Sequence, residues 1–479
     1  MAKFRKVRIE KQPENPFTSL IPDQQIAIIP SFTLESGVTL RNVPLAYTTR
    51  GKLSTNGDNV MVICHALTGS ADVSDWWGPL IGGPGRAFDT SRFFVVCMNS
   101  LGSPYGTASP VTAKDGDPKK GNYGPEFPLT TIRDDVNLHK LLLDELGVRE
   151  IAAVIGGSMG GMLVLEWAYF GKDYVRCIVP IATSSQHSAW GISWGEAQRQ
   201  SIYADPKYED GYYTYSDPPA TGLGAARMAA LLTYRSRNSF EARFGRNIPD
   251  PARRQTIREM PRPATPSEAH FQIHNDGHKS ARMSATSSRT NSPPQTADPS
   301  EIANRSLDPQ FSGPKTGSLT GGDSLPSSTY FSAQSYLRYQ GEKFVKRFDS
   351  NCYIAITRKL DTHDVSRYRA QNIAEALALI EQPTLVLGIE SDGLFTFAEQ
   401  EELARYIKNA RLEKINSQEG HDAFLLQFEQ VNRYILNFLS EIRPDIMSNG
   451  GEHVEAASVG QILKSSTFGE AEVDDITAW

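Results

Sequence analysis

The chain has 479 residues, of which 22% are charged and 39% apolar, with a formal net charge of −6. That length exceeds one ordinary domain and buries a large core with room for insertions. The acidic balance, with no basic stripe, argues against nucleic acid as a partner. Cys64, Cys97, Cys177 and Cys352 show no C-x-x-C spacing, so buried thiols are expected rather than a disulfide framework or a zinc site, and no metal is expected. Behind Met1–Lys6 there is no apolar stretch, and nowhere is there an apolar run long enough to cross a bilayer. A soluble cytoplasmic protein without membrane contact is the expectation.

Residues 25–53 read as strands, with Ser36-Gly37 as a hairpin turn between Phe32–Glu35 and Val38–Leu40. Val60–Cys64 and Phe93–Cys97 are buried-strand patterns. Residues 132–146 set Leu138, Leu141, Leu142 and Leu146 at helical spacing, with Thr131 as cap, Asp134 and Asp135 in the first turn and Gly147 as terminator. Ile151–Ile155 is the next strand, followed by a helix from Met162 and another strand at Cys177–Ile181. This alternation predicts an α/β fold with a mostly parallel sheet covered by helices on both faces.

Beyond residue 185 the alternation stops. Residues 186–245 read as helical. From 284 to 328 Ser, Thr, Pro and Gly fill more than half the positions, a segment with too little apolar surface to offset its ordering entropy. Helical signals return over Phe331–Leu360. The α/β pattern resumes with a strand at Thr384–Ile389, a helix at 397–407, a strand at 411–415 and a last helix at 422–440. The expected organisation is core at 1–185, helical lid at 186–375 containing a disordered insert at about 250–328, core again at 376–445, and a polar tail at 446–479.

The sequence Gly156-Gly157-Ser158-Met159-Gly160-Gly161 stands between a strand and a helix, the pattern of a nucleophile elbow. Glycines are needed where strand and helix nearly collide, and the helix N-terminus directs unpaired N–H groups at the serine. A serine hydroxyl needs a base, and the base an orienting carboxylate, in chain order Ser, Asp, His. Asp392 follows the strand ending at Ile389 and His421 follows the strand ending near Ile415. His187 and His363 fall in the lid, His270, His274 and His278 in or near the insert, and His453 in the tail. The oxyanion donors are expected to be the N–H of Met159 and that of Leu67, in the loop after Cys64. His65 is expected to brace that loop rather than react. These residues support an acyl-transfer serine enzyme and do not distinguish water from another acceptor.

Further segments resemble a known family: His65–Asp72, Asn99–Gly106, Tyr123–Pro128, Gly156–Met162 and Gly420–Phe424, with Trp194–Arg199, Ala226–Met228, Thr233–Ser236 and Ser335–Gly341 in the lid region. Together they look like homoserine O-acetyltransferase of the α/β-hydrolase type, in its fungal branch, over residues 25–440 apart from the insert. The resemblance implies that acetyl-CoA, as co-substrate and with no other cofactor, acetylates Ser158, and that L-homoserine then takes the acetyl group in methionine biosynthesis. It implies that Arg227 meets the substrate carboxylate, Asp422 its ammonium, and Thr68 and Tyr234 the pocket wall, in a homodimer. A guanidinium suits a carboxylate and an acid suits an amine. Relatives that acylate serine or deacetylcephalosporin tend to carry Gly-Ala-Ser and His-Thr-Leu-Thr where this chain has Gly-Gly-Ser and His-Ala-Leu-Thr, which favours homoserine. A plain esterase and a non-catalytic scaffold are the other readings.

Overall fold

The structure is a computed structural model and describes residues 4–7, 12–248, 265–278 and 331–448. By internal packing the described residues divide into one unit, lying within 4–245 and 336–448, and a second, made of 246–248, 265–278 and 331–335.

In the first unit the strands are β1 (Arg5–Val7), β2 (Gln25–Thr33), β3 (Thr39–Arg50), β4 (Val60–Cys64), β5 (Ile81–Gly82), β6 (Phe88–Asp89), β7 (Phe94–Met98), β8 (Ile151–Gly157), β9 (Ile178–Ile181), β10 (Thr384–Gly388) and β11 (Ala410–Lys414). All but β5 and β6 form one nine-stranded sheet in the order β1-β2-β3-β7-β4-β8-β9-β10-β11. β1, β2, β3 and β7 pair antiparallel in succession, and from β7 to β11 every neighbour is parallel. The hairpin at Ser36-Gly37 forms as expected, with Gly37 at φ 83 and Leu34 N–H donating to Val38 O. After β4 the chain crosses to β7 on one side and later to β8 on the other. The carboxyl ends of β4 and β8 therefore flank a switch point, where open α/β sheets bind ligands.

Among the described residues the α-helices of six residues or more are α1 (Ile132–Leu146), α2 (Met159–Ala168), α3 (Ala189–Tyr203), α4 (Ala220–Tyr234), α5 (Arg237–Arg243), α6 (Pro266–His274), α7 (Ser332–Phe344), α8 (Ser350–Asp361), α9 (Ile373–Ala378), α10 (Phe397–Tyr406) and α11 (Phe428–Ile442). α1 carries the expected capping box, Thr131 with Asp134, and ends at left-handed Gly147. Alternate residues of the central strands feed two cores. Val60, Val62 and Cys64 pack with Leu138, Leu142 and Met162, while Met61 and Ile63 pack with Trp77, Ile435 and Phe438. Burial on both faces explains why these strands read as unbroken apolar runs. All four cysteines are buried free thiols.

Helices α3 to α5 and α8 lie between β9 and β10 in sequence yet belong to the same unit as the sheet. Lys359 of α8 makes a fully buried ion pair with Asp135 of α1, 2.5 Å apart, and also donates to Leu101 O at 2.7 Å. Burial lowers the Lys359 pKa, and the Asp135 charge works against that shift. The last helix departs from the expected single run over 422–440. A short helix at Ala423–Leu426 ends at Gln427 (φ −94, ψ 54), which is not helical, and α11 starts afresh at Phe428.

In the second unit, α6 stands inside the stretch expected to lack structure. Thr265 caps it by accepting from Glu268 N–H at 3.2 Å, and Pro266 opens it, a start signal that the Ser/Pro composition of the surrounding stretch obscured. The remainder of the expected insert, residues 250–264 and 279–328, and the tail beyond 448, with His453, lie outside the described residues.

Candidate active site

Ser158 sits between β8 and α2 with φ 60 and ψ −125, a conformation costing about 1–3 kcal/mol that the surroundings must impose. They do so through close backbone approach. A Cβ on Gly156 would lie 2.6 Å from Gly160 O, and one on Gly161 would lie 2.6 Å from Thr183 Cβ. Ser158 N–H donates to Ile181 O at 3.0 Å, and Ser158 O accepts from Thr183 Oγ1 at 2.8 Å. The serine is 8% exposed, at the floor of a cavity.

His421 and Asp392 come from the loops after β11 and β10. Their side chains meet at 2.6 Å, Nδ1 to Oδ2. The other carboxylate oxygen of Asp392 accepts from the N–H groups of Leu394 (2.8 Å) and Phe395 (3.0 Å), so the carboxylate is fixed from both sides. The imidazole is packed by the rings of Phe395, Phe424 and Tyr234, at 5.3, 5.6 and 6.2 Å between centroids. With Nδ1 held by Asp392, Nε2 is on the opposite edge of the ring.

The loop after β4, His65–Gly69, closes on itself. Ala66 O accepts from Gly69 N–H at 3.0 Å and faces His65 Nδ1 at 2.8 Å, while His65 Nε2 accepts from Ser100 N–H at 3.0 Å. His65 is thus the neutral Nδ1–H tautomer. Burial pushes its pKa down to about 4, which suits a brace and not a base at neutral pH. The N–H groups of Leu67 and Met159 make no hydrogen bond among the described residues.

The opposite wall comes from the helices between β9 and β10. The cavity is lined by Ser158, His421, Leu67, Thr68, Thr233, Tyr234, Asp422 and apolar groups including Trp76, Phe395 and Leu425, and together with the open solvent at its mouth spans about 970 Å³. Arg227 is not on that wall. Its buried guanidinium stacks on the rings of Phe344 (4.9 Å) and Tyr234 (5.5 Å), one ring removed from the cavity. Asp422 is on the wall, but its side chain does not cap the helix it precedes; it pairs with Arg235 at 2.9 Å. Arg235 also donates to Glu419 at 2.7 Å, and Glu419 accepts from Ser239 (2.6 Å) and pairs with Arg243 (2.7 Å). Burial raises the Glu419 pKa, but its bonds to Arg243 and Ser239 more than reverse this and hold it below the usual carboxylate value. The turn at Gly420, φ 77, lies so close to Tyr234–Ser236 that a Cβ there would meet Ser236 N at 2.5 Å. The loop bearing His421 is therefore clamped to the end of α4. In the sequence Arg235 is visible only as part of the Thr233–Ser236 segment, and Glu419, Arg243 and Arg347 carry no local signal because their partners lie far along the chain. Among the described residues there is no cluster of acidic, His or Cys side chains fit to hold a metal, and no helix long and apolar enough to cross a membrane.

Residues 59–257 match the α/β hydrolase fold family. Over 98% of both chains, the protein is 68% identical to a homoserine O-acetyltransferase of Emericella nidulans. The chain belongs to the homoserine O-acetyltransferase family. Other members similar to it are those of Ascobolus immersus, 60% identical over 98% of this chain and 97% of that one, and Saccharomyces cerevisiae, 53% identical over 97% and 96%. Membership makes this chain an acyltransferase. Among solved structures, a homoserine O-acetyltransferase from Bacillus anthracis (TM-score 0.63, 20% identity, 86% of this chain and 97% of that one) and esterase E22 (TM-score 0.64, 22%, 87% and 99%) share the fold. A transferase and an esterase fit this family member's backbone equally well, so the backbone alone does not select the acyl acceptor.

Proposed function

We propose that this enzyme moves the acetyl group of acetyl-CoA to the hydroxyl of L-homoserine by a ping-pong route through acetylated Ser158, and that its product serves methionine biosynthesis. In the first half-reaction His421 Nε2 removes the Ser158 proton as Oγ attacks the thioester carbon. The carbonyl oxygen becomes an oxyanion between the N–H groups of Leu67 and Met159, which have no competing acceptor among the described residues. Collapse expels the thiolate of CoA, which takes the proton from His421. In the second half-reaction the homoserine hydroxyl gives its proton to His421 and attacks the acetyl-serine, and Ser158 leaves with the proton restored. Asp392 holds the Nδ1–H and stabilises the imidazolium in both steps.

Homoserine is held by its two charged ends. Asp422 faces its ammonium and Thr68 and Tyr234 line the wall, while Arg227, set back behind the Tyr234 ring, attracts the carboxylate to that side through its charge rather than by lining the cavity. A cytoplasmic homodimer using acetyl-CoA and no metal or further cofactor completes the reading. The observation that carries it is the placing of Ser158 and His421 in one cavity roofed by α4, with Asp392 locked behind the histidine; 68% identity to a named homoserine O-acetyltransferase supports the choice of acceptor. The test is thiol release from acetyl-CoA with L-homoserine, L-serine or no acceptor. Release that depends on homoserine supports transfer. Equal release without any acceptor means a hydrolase, and a preference for serine means the wrong amino acid.

A further inference from the structure

The geometry points to Arg347 as a positioning residue that holds the loop presenting the Leu67 oxyanion donor. The inference rests on the proposed role of Leu67 and on acylation at Ser158. Arg347 follows α7 and is buried, 5% exposed. Its Nη1 donates to Thr68 O at 3.0 Å and to Tyr105 Oη at 3.1 Å, and its Nη2 lies 3.5 Å from Thr68 Oγ1. Tyr105 in turn donates its hydroxyl proton to Arg347 O at 2.8 Å, so the arginine's backbone and side chain are both gripped by one phenol. The guanidinium carbon lies 4.9 Å from the Phe344 ring centre.

The consequence follows from peptide planarity. Ala66 C=O and Leu67 N–H belong to one rigid plane and point in opposite directions. Gly69 N–H and the His65 ring pin Ala66 O, which aims Leu67 N–H the other way. That fixes the peptide before Leu67. Arg347 fixes the carbonyl of Thr68 on the far side, so the donor cannot swing through the torsions that follow it. Arg347 itself is not on the cavity wall; Thr68 is. Its effect therefore passes through the loop.

The test compares Arg347→Met, Arg347→Lys and Tyr105→Phe with wild type. Single-turnover acetylation of Ser158 is followed with acetyl-CoA and with p-nitrophenyl acetate, alongside steady-state kcat and KM for homoserine and thermal melting. Displacing one oxyanion donor without removing it should slow acetylation roughly 10- to 100-fold by Arg347→Met with both donors. The kcat should fall in step, with the homoserine KM changed by less than about threefold. Arg347→Lys, which can still reach one acceptor, should recover part of the rate, and Tyr105→Phe should show a smaller loss of the same kind. Acetylation at the wild-type rate in Arg347→Met overturns the inference, as does a raised homoserine KM with normal acetylation. Should the methionine variant not fold, wild-type acetylation in both Arg347→Lys and Tyr105→Phe has the same force. If wild-type enzyme never acetylates Ser158, the acyl-enzyme reading itself fails and takes this inference with it.

Discussion

The guanidinium of Arg235 lies 2.9 Å from the carboxylate of Asp422, both side chains being at most 4% exposed. Asp422 is therefore not a bare anion awaiting an amine. It is held in place by a cation that Glu419 shares, and it offers the cavity the remainder of its charge.

Asp422→Asn should weaken use of homoserine while leaving the fold intact, because Arg235 keeps Glu419 as a partner. Losing a charge-assisted contact costs about 1.5–3 kcal/mol, which is roughly a 10- to 150-fold fall in kcat/KM for homoserine. Acetylation of Ser158 should change far less. Arg227→Ala should act in the same direction but less strongly, since its guanidinium stands behind the Tyr234 ring and not on the cavity wall. Rapid-quench measurement of the two half-reactions separates these effects; a variant that slows acetylation and spares homoserine dependence places its residue on the acyl-donor side.

Asp392→Asn should lose several orders of magnitude in kcat. An amide in place of the carboxylate reverses or breaks the 2.6 Å bond and favours the wrong imidazole tautomer. Far-ultraviolet circular dichroism and melting should stay close to wild type. Near-normal turnover in this variant would mean another carboxylate orients His421.

Gly157→Ala should slow turnover through Phe424. A Cβ at Gly157 would come within 2.7 Å of Phe424 Cδ2, and Phe424 packs on both His421 and Trp77. Overpacking of this kind costs about 1–3 kcal/mol. Melting temperature and kcat should both fall, and adding Phe424→Leu should restore part of the stability. An alanine accepted without loss would show that the Phe424 ring moves freely.

Stability should decline in mild acid. Burial pushes the pKa of His65 down to about 4, of His139 to about 3 and of His187 to about 4. The unfolded chain takes up protons near pH 6.5 while the folded one does not, so their contribution is complete above about pH 6.5 and is lost as pH falls toward about 4. For fully buried His65 the loss is up to about 3 kcal/mol. Urea midpoints at pH 7.5 and pH 5 measure the effect; equal midpoints would contradict it.

The elements legible in the sequence were those with local signatures. The elbow glycines, the Thr131 capping box, the Ser36-Gly37 hairpin and the apolar runs of β4, β7 and β8 each announce themselves within a few residues. The order Ser158, Asp392, His421 was legible because the α/β alternation fixes which loops reach the switch point. The pairings Arg235–Glu419, Arg347–Thr68 and Lys359–Asp135 were not, since their members stand 184, 279 and 224 residues apart and lie on no common periodicity. Gln427 also carries no breaker residue type, so the interruption before α11 left no trace. Arg227 was readable as a residue of the lid but not as one set back behind the Tyr234 ring.

In the proposed route the acetyl group rests on Ser158 between donor and acceptor. Intact-mass and peptide analysis after mixing wild-type enzyme with acetyl-CoA alone tests it most directly. One added acetyl group per chain is expected, located on the peptide containing Ser158, discharged by L-homoserine and absent from Ser158→Ala. An enzyme that turns over with homoserine, yet carries no acetyl group at Ser158 and gives intersecting rather than parallel kinetic lines, would contradict it.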